Sequence, residues 1–221
     1  LWRKGMWQWM ENVGLPKDSV HELEVSSEDR AHYSKRTIDF EFDYPFGRKE
    51  LYGLAYRTDF DLGNHSKASG TELSYFDEDS KERFIPHVIE PTFGVERTVL
   101  AVLLSAYQED EMGGERREYL KLPAAIAPVR AAIFPLLKNK PELVAKAREV
   151  YTVLKAEEPR VIFDDNGNIG KRYRRQDEIG TPYCVTVDFD TLTDNAVTVR
   201  DRDSGEQERV QISELSQKIL A

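Results

Sequence analysis

Three short runs of the 221-residue sequence bring charged side chains together at spacings that chemistry can use. In His87-Val88-Ile89-Glu90-Pro91-Thr92-Phe93-Gly94-Val95-Glu96-Arg97 a strand-like stretch runs into a helical one whose first turn carries an arginine. A cation near the positive end of a helix dipole costs about 0.3–1 kcal/mol, which a bound nucleotide phosphate or a stacked aromatic base would offset. Glu96 beside Arg97 offers a plainer reading, local neutralisation. Glu90 ends the apolar stretch, so its carboxylate either reaches solvent or pairs with a donor, and a bound ammonium is such a donor. In Tyr56-Arg57-Thr58-Asp59-Phe60-Asp61 an arginine and two carboxylates could grip the two ends of a small zwitterion, or close on each other as an internal salt bridge. Glu50, at the entrance to the preceding strand, is a candidate contact for substrate or magnesium, or a solvated strand-end charge. The third run places Lys171, Arg172, Arg174 and Arg175 within five positions around Tyr173, as a polyanion-binding face or as a solvated basic turn. No Gly-x-Ser-x-Gly, P-loop or Gly-x-Gly-x-x-Gly motif occurs, and the four histidines never pair at zinc-ligand spacing. Catalysis would then rest on positioning and electrostatics.

These residues need elements to hold them. Trp2, Met6, Trp9, Met10 and Val13 recur at helical spacing and stop at Gly14-Leu15-Pro16. Ser26 and Asp29 have capping-box spacing, predicting a short helix towards Lys35. Ile38, Phe40, Phe42 and Tyr44 alternate with acidic residues, the period of a half-buried strand, and Pro45 to Lys49 turns the chain into an antiparallel partner over 51–56. Residues 61–71 read as a polar loop, followed by a hairpin of 72–76 with 84–89. The stripe Val95, Val99, Val102, Leu103, Ala106 and Tyr107 predicts a helix packed on the sheet. The charged, glycine-paired segment 109–115 reads as a linker, giving domains over 1–119 and 120–221. Beyond it, apolar stretches at 131–134, 160–163 and 183–187 alternate with helical ones, the pattern of an α/β layer with parallel pairing. Strands near 196–200 and 208–210 and a helix over 213–220 follow. The fold class is therefore α/β in the broad sense (α+β), an antiparallel-sheet part followed by a mixed-sheet domain.

Composition narrows the function classes. Apolar residues at 40% and charged residues at 32% are ordinary globular usage. No stretch approaches the roughly 18 apolar residues of a membrane span, and the N-terminus lacks the apolar block of a secretion signal. The single cysteine, Cys184, excludes an internal disulfide and suits a reducing cytoplasm. The whole net charge of −9 falls in residues 1–119, whereas 120–221 is neutral and can still present a local basic face.

Arg57 to Leu62, His87 to Arg97, and the run from Gly167 through Lys171-Arg172-Tyr173-Arg174-Arg175 to Thr181-Pro182 together resemble glycyl-tRNA synthetase of the homodimeric class II type, over nearly the whole chain. The third run is shared more loosely with the histidyl, prolyl and threonyl enzymes; the first two point to the glycyl one. The resemblance implies that 1–119 is the C-terminal part of a class II catalytic domain and 120–221 an anticodon-binding domain. It implies ATP and magnesium as cofactors, with glycine and tRNA(Gly) as substrates, in a cytoplasmic homodimer. Glu90 would hold the glycine ammonium, Arg57 and Thr92 would help fix the substrate, and Glu50, Gly94 and Arg97 would serve ATP. Lys171, Arg172, Tyr173, Arg174 and Arg175 would bind tRNA by charge and stacking. Two departures stand out. The family usually has serine where Thr92 stands, and its N-terminal dimer-forming elements and Phe-Arg-Asn-Glu-like segment have no match. The expectation is a C-terminal portion of a longer synthetase that does not activate glycine alone. The competing reading is a non-catalytic tRNA- or nucleic-acid-binding accessory protein of synthetase-like fold.

Overall fold

Trp2–Asn12 forms helix α1, which buries Met6 and Met10 and ends ahead of Gly14, whose φ of +82° favours glycine. In this computed structural model, which describes residues 1–220, the chain divides into two compact units, Leu1–Leu104 and Ser105–Ala221. Among the described residues no helix is long and apolar enough to cross a membrane.

The first unit is built on four antiparallel strands, β1 (Val20–Glu24), β2 (Arg36–Tyr44), β3 (Gly47–Thr58) and, from further along, Val88–Phe93, in the order given. On β2 the predicted alternation holds: Ile38, Phe40, Phe42 and Tyr44 are buried while Thr37, Asp39 and Glu41 face the other side. A bulge follows, because Phe40 stands opposite Tyr52 but Glu41 stands opposite Glu50. Leu51 is the extra residue, and it and Tyr52 are both buried. After β3 comes α2 (Phe60–Ser69), closed by Gly70 in the left-handed region, where a polar loop was expected. This helix buries no residue, so it leaves no apolar stripe in the sequence. The helix expected from Ser26 to Lys35 is absent. The Ser26 hydroxyl and Asp29 do make the capping contact, but no apolar face follows to propagate a helix, and the segment stays as turns.

The second hairpin is shorter than expected, β4 (Tyr75–Phe76) with β5 (Arg83–Phe84), and Val88–Phe93 leaves it to become β6, the edge strand beside β3. Then comes α3 (Val95–Ala106). Its buried side chains include Ala101 and Ala106, whereas Val95, Val99 and Leu103 of the predicted stripe are exposed. The Thr98 hydroxyl meets the Tyr52 hydroxyl at 2.9 Å, fixing α3 to the sheet through a polar contact.

The segment read as a linker is a hairpin, β7 (Tyr107–Met112) and β8 (Glu115–Leu120), turning at Gly113 and Gly114, both with positive φ. It belongs with the second unit, so the units part at 104/105, upstream of the 119/120 boundary expected from sequence. The reason is Arg117 of β8, which is 1% exposed and donates to Asp110, Asp177 and the Arg202 carbonyl. The rest of this unit runs β9 (Ala131–Pro135), α4 (Pro141–Glu157), β10 (Val161–Phe163), α5 (Ile169–Glu178), β11 (Tyr183–Val187), α6 (Thr191–Asp194), β12 (Ala196–Asp201), β13 (Gln207–Gln211) and α7 (Leu215–Leu220). Its sheet has the order β10-β9-β11-β12-β13, parallel across the first three strands and antiparallel across the last. Ala131, Ile133, Val185 and Val187 share a core with α4 and α7, while Ala132, Phe134 and Cys184 pack with Ile169 and Tyr173 of α5. Helices α4 and α7 therefore cover one face of the sheet and α5 the other, as alternating strands and right-handed crossovers require.

Candidate active site and candidate RNA-binding surface

On the polar face of the first unit's sheet, two cross-strand rungs lie side by side. Asp39, Gly53 and Thr92 form one, and Thr37, Ala55 and Glu90 the next. The central residue of each rung is small, so β3 makes a trough between polar walls. Arg57, two residues further along β3, donates to both oxygens of Asp61 at 2.6 and 2.7 Å and to Glu90 Oε2 at 2.7 Å. Its guanidinium lies 3.8 Å from the centre of the Tyr33 ring. The internal pair with Asp61 is thus present and extends to Glu90. Asp61 first and Glu90 second hold the Arg57 pKa above its ordinary value, and Asp61 is correspondingly lowered. Among the described residues Glu90 Oε1 has no hydrogen-bond partner, and the side chain is 41% exposed. Glu90 is oriented by Arg57 and keeps one oxygen open.

Arg97 donates to the Glu50 carbonyl at 2.6 Å and lies 3.5 Å from Glu50 Oε2, with Gly94 beneath its stem. Glu50 is the link between this arginine and the trough. Residues 50 and 53 would point to opposite faces of a regular strand, but the extra residue Leu51 brings Glu50 round, so that Glu50 Oε1 lies 3.8 Å from where a Cβ on Gly53 would stand. Burial, then the charges of Glu50 and Glu41, raise the Asp39 pKa. Among the described residues no group of three His, Cys, Asp or Glu side chains could hold a metal by itself. The structure therefore gathers Glu50, Gly94 and Arg97 at one end and Arg57, Glu90 and Thr92 at the other. Asp39, Gly53 and Tyr33 join them without having been singled out by sequence. Only Asp39 left a signal, as a carboxylate on the polar side of the β2 alternation.

In the second unit, α5 sorts the basic run by helical period. Asn168 caps the helix by accepting from the Lys171 amide at 2.9 Å. Arg172, Gln176 and Asp177 are buried. Arg172 is 1% exposed and donates to the Pro135 and Gly167 carbonyls, and burial lowers its pKa. Tyr173 bonds Thr186 at 2.7 Å, meets Phe134 edge-on at 5.7 Å, and has the Arg200 guanidinium 5.0 Å from its ring centre. The charge of Arg172 is spent inside the fold, and Tyr173 is half-buried with Arg200 over its ring, which departs from the role expected for them. Arg174 reaches the Arg116 carbonyl at 3.0 Å and Glu115 at 3.4 Å, and Arg175 bonds Asp164 and the Asn166 carbonyl. Lys171 is exposed, and Arg174 and Arg175 remain partly accessible.

Residues 130–221 match the family described as "Anticodon binding domain". Glycine–tRNA ligase of Thermobifida fusca is 52% identical over 218 residues, covering 95% of this chain and 47% of the relative. Those of Clostridium tetani and Streptomyces coelicolor are each 49% identical over 97% of this chain, covering 46% and 48% of the relatives. The chain is similar to these glycine–tRNA ligases over nearly its whole length. It spans about half the length of the curated relatives it matches. The anticodon-binding match lies wholly inside the second compact unit and includes α5.

Proposed function

We propose that this chain supplies part of the active site and the anticodon-binding domain of a glycine–tRNA ligase. The first unit, residues 1–104, would form the C-terminal part of a class II catalytic domain, and the second, from residue 105 onward, would carry the domain that binds the anticodon of tRNA(Gly). The observation that carries the reading is the oriented Glu90, fixed through one oxygen by Arg57 with the other unpaired among the described residues, on the same face of the sheet as Thr92 and Gly53. A carboxylate so held presents a fixed acceptor to the ammonium of a small amino acid. In the first step a glycine carboxylate oxygen attacks the α-phosphorus of ATP and pyrophosphate leaves. In the second the terminal ribose hydroxyl of tRNA attacks the adenylate carbonyl and AMP leaves. Arg97, placed over Glu50, is suited to the nucleotide. Magnesium, which commonly binds one or two carboxylates together with substrate phosphates, would find one such ligand in Glu50 and would neutralise phosphate charge.

The functional assembly in this reading is a cytoplasmic homodimer in which the remaining half of the synthetase is also present. The 221 residues alone should show no ATP–pyrophosphate exchange above background. They should bind tRNA(Gly) and discriminate against the same transcript carrying a different anticodon. Equal affinity for the two transcripts would overturn the anticodon assignment. tRNA binding by the full-length protein with no affinity for a glycyl-adenylate analogue would favour the accessory-protein reading.

A further inference from the structure

A glycine inside a paired strand weakens it, because it packs no side chain and loses more freedom on folding than any other residue. In most places the structure shows why one is needed. Gly180 has a φ of +81°, and a Cβ there would fall 2.8 Å from Leu122 Cδ1. Gly53 has neither reason, although it lies in β3 with a paired strand on each side. Its φ is outside the left-handed region, and an added Cβ would meet nothing nearer than 3.8 Å, ordinary van der Waals contact. An alanine would fit the fold. It would occupy the space bounded by Glu50 Oε1 at 3.8 Å, Asp39 Oδ1 at 3.9 Å and Thr92 Cβ at 4.0 Å.

We propose that Gly53 is a specificity-determining residue, the floor of the amino-acid site, whose missing side chain leaves room for the α-carbon of the substrate. The inference rests on the glycine-ligase reading above and adds to it a residue that neither the resemblance nor the open carboxylate of Glu90 singles out. Thr92 stands directly across β6 from Gly53, and Glu90 stands across from Ala55 on the adjoining rung. An amino acid whose ammonium is held by Glu90 therefore lies over the small centres of both rungs. With the Thr92 methyl group on the far wall, a substrate bearing only hydrogens on its α-carbon can approach the strand closely. A methyl group on Gly53 would take that approach away without disturbing the backbone.

The test is an isothermal titration of the full-length protein, in which the remaining half of the synthetase is present, with glycyl-sulfamoyl-adenosine, a non-hydrolysable mimic of the adenylate, and separately with AMP, for the unmodified protein and Gly53→Ala. The variant should melt at the same temperature or higher and keep its AMP affinity, while binding the glycyl analogue at least about tenfold more weakly. Equal affinity for the glycyl analogue would overturn the role of Gly53 and leave the site intact. No binding by the unmodified protein would overturn the reading of the site and the inference with it. A variant that melts far below the unmodified protein would show that the glycine is structural, and would overturn the inference alone.

Discussion

Asp177 on α5 is 3% exposed in its side chain and is the counter-ion of two buried arginines. Its carboxylate accepts from Arg200 at 2.8 and 3.0 Å and lies 3.4 Å from Arg117. Replacing it by asparagine keeps the shape and removes the charge. Arg117 retains Asp110 and the Arg202 carbonyl, so one ion pair is broken: Arg200, 6% exposed, loses the one carboxylate it pairs with among the described residues and keeps the Met112 sulfur at 3.2 Å and the face of the Tyr173 ring. Removing one partner of a buried pair costs about 3–5 kcal/mol, a large share of the roughly 5–15 kcal/mol that holds a domain folded. In thermal unfolding followed by far-UV circular dichroism, Asp177→Asn should lower the second unit's transition by roughly 10–20 °C. All three tryptophans lie in α1, so their fluorescence reports the first unit in the same sample. Adding Arg200→Met removes the stranded charge and should restore most of the loss. A loss below about 1 kcal/mol in the single variant, or no recovery in the double, would refute the claim that this network fastens β8 and β12 to α5.

The basic run on α5 should separate by role. Replacing Lys171 and Arg174 with alanine should weaken tRNA binding and reduce the salt dependence of log affinity by about one for each phosphate left unneutralised, measured by filter binding across a salt series. Arg172→Ala should instead destabilise the second unit by about 2–3 kcal/mol in urea and leave the salt slope of the folded fraction unchanged. A steep change in slope from Arg172→Ala would contradict its burial. Asp39 has a raised folded-state pKa, so the folded state binds its proton more tightly than the unfolded chain does. Stability is therefore lost as pH rises from the ordinary aspartate value through the raised one, and the penalty is complete at neutral pH. Asp39→Asn should stabilise the first unit by about 0.5 kcal/mol at pH 7, a modest amount because solvent screens the site, and by nothing below about pH 4. Equal gains at both pH values would sink the electrostatic explanation.

How much of this could be read from the sequence depends on whether a residue's neighbours are set by local period or by long-range register. Strand β2 was legible because one face is buried along its length, so alternation and burial coincide. The parallel layer of the second unit was legible for a similar reason, the apolar run being wholly buried in β9 and, after Tyr183, in β11. Helix α2 was hidden because it buries nothing, and the buried side of α3 was misplaced because its contact uses alanines where larger apolar residues remain outside. On α5 the four cations form a cluster in one dimension, but a helix of 3.6 residues per turn sends Arg172 inward while Lys171 and Arg174 stay outward. The active-site candidates show the limit most clearly. Arg57 and Asp61 are four residues apart across the end of β3 and the first turn of α2, a separation that a sequence can suggest. Glu50 and Gly53 are three apart on a strand, which by period alone places them on opposite faces. They share one face because Leu51 is inserted opposite the Phe40–Glu41 step, and that bulge has no local signature: a hydrophobic residue next to another, Tyr52, is as compatible with a regular strand. Had β3 run regularly, Glu50 would face away from Asp39 and Thr92, and the end of the trough that meets Arg97 would carry no carboxylate. The site is thus assembled by a single extra residue whose effect appears only when strands from three parts of the chain are laid side by side.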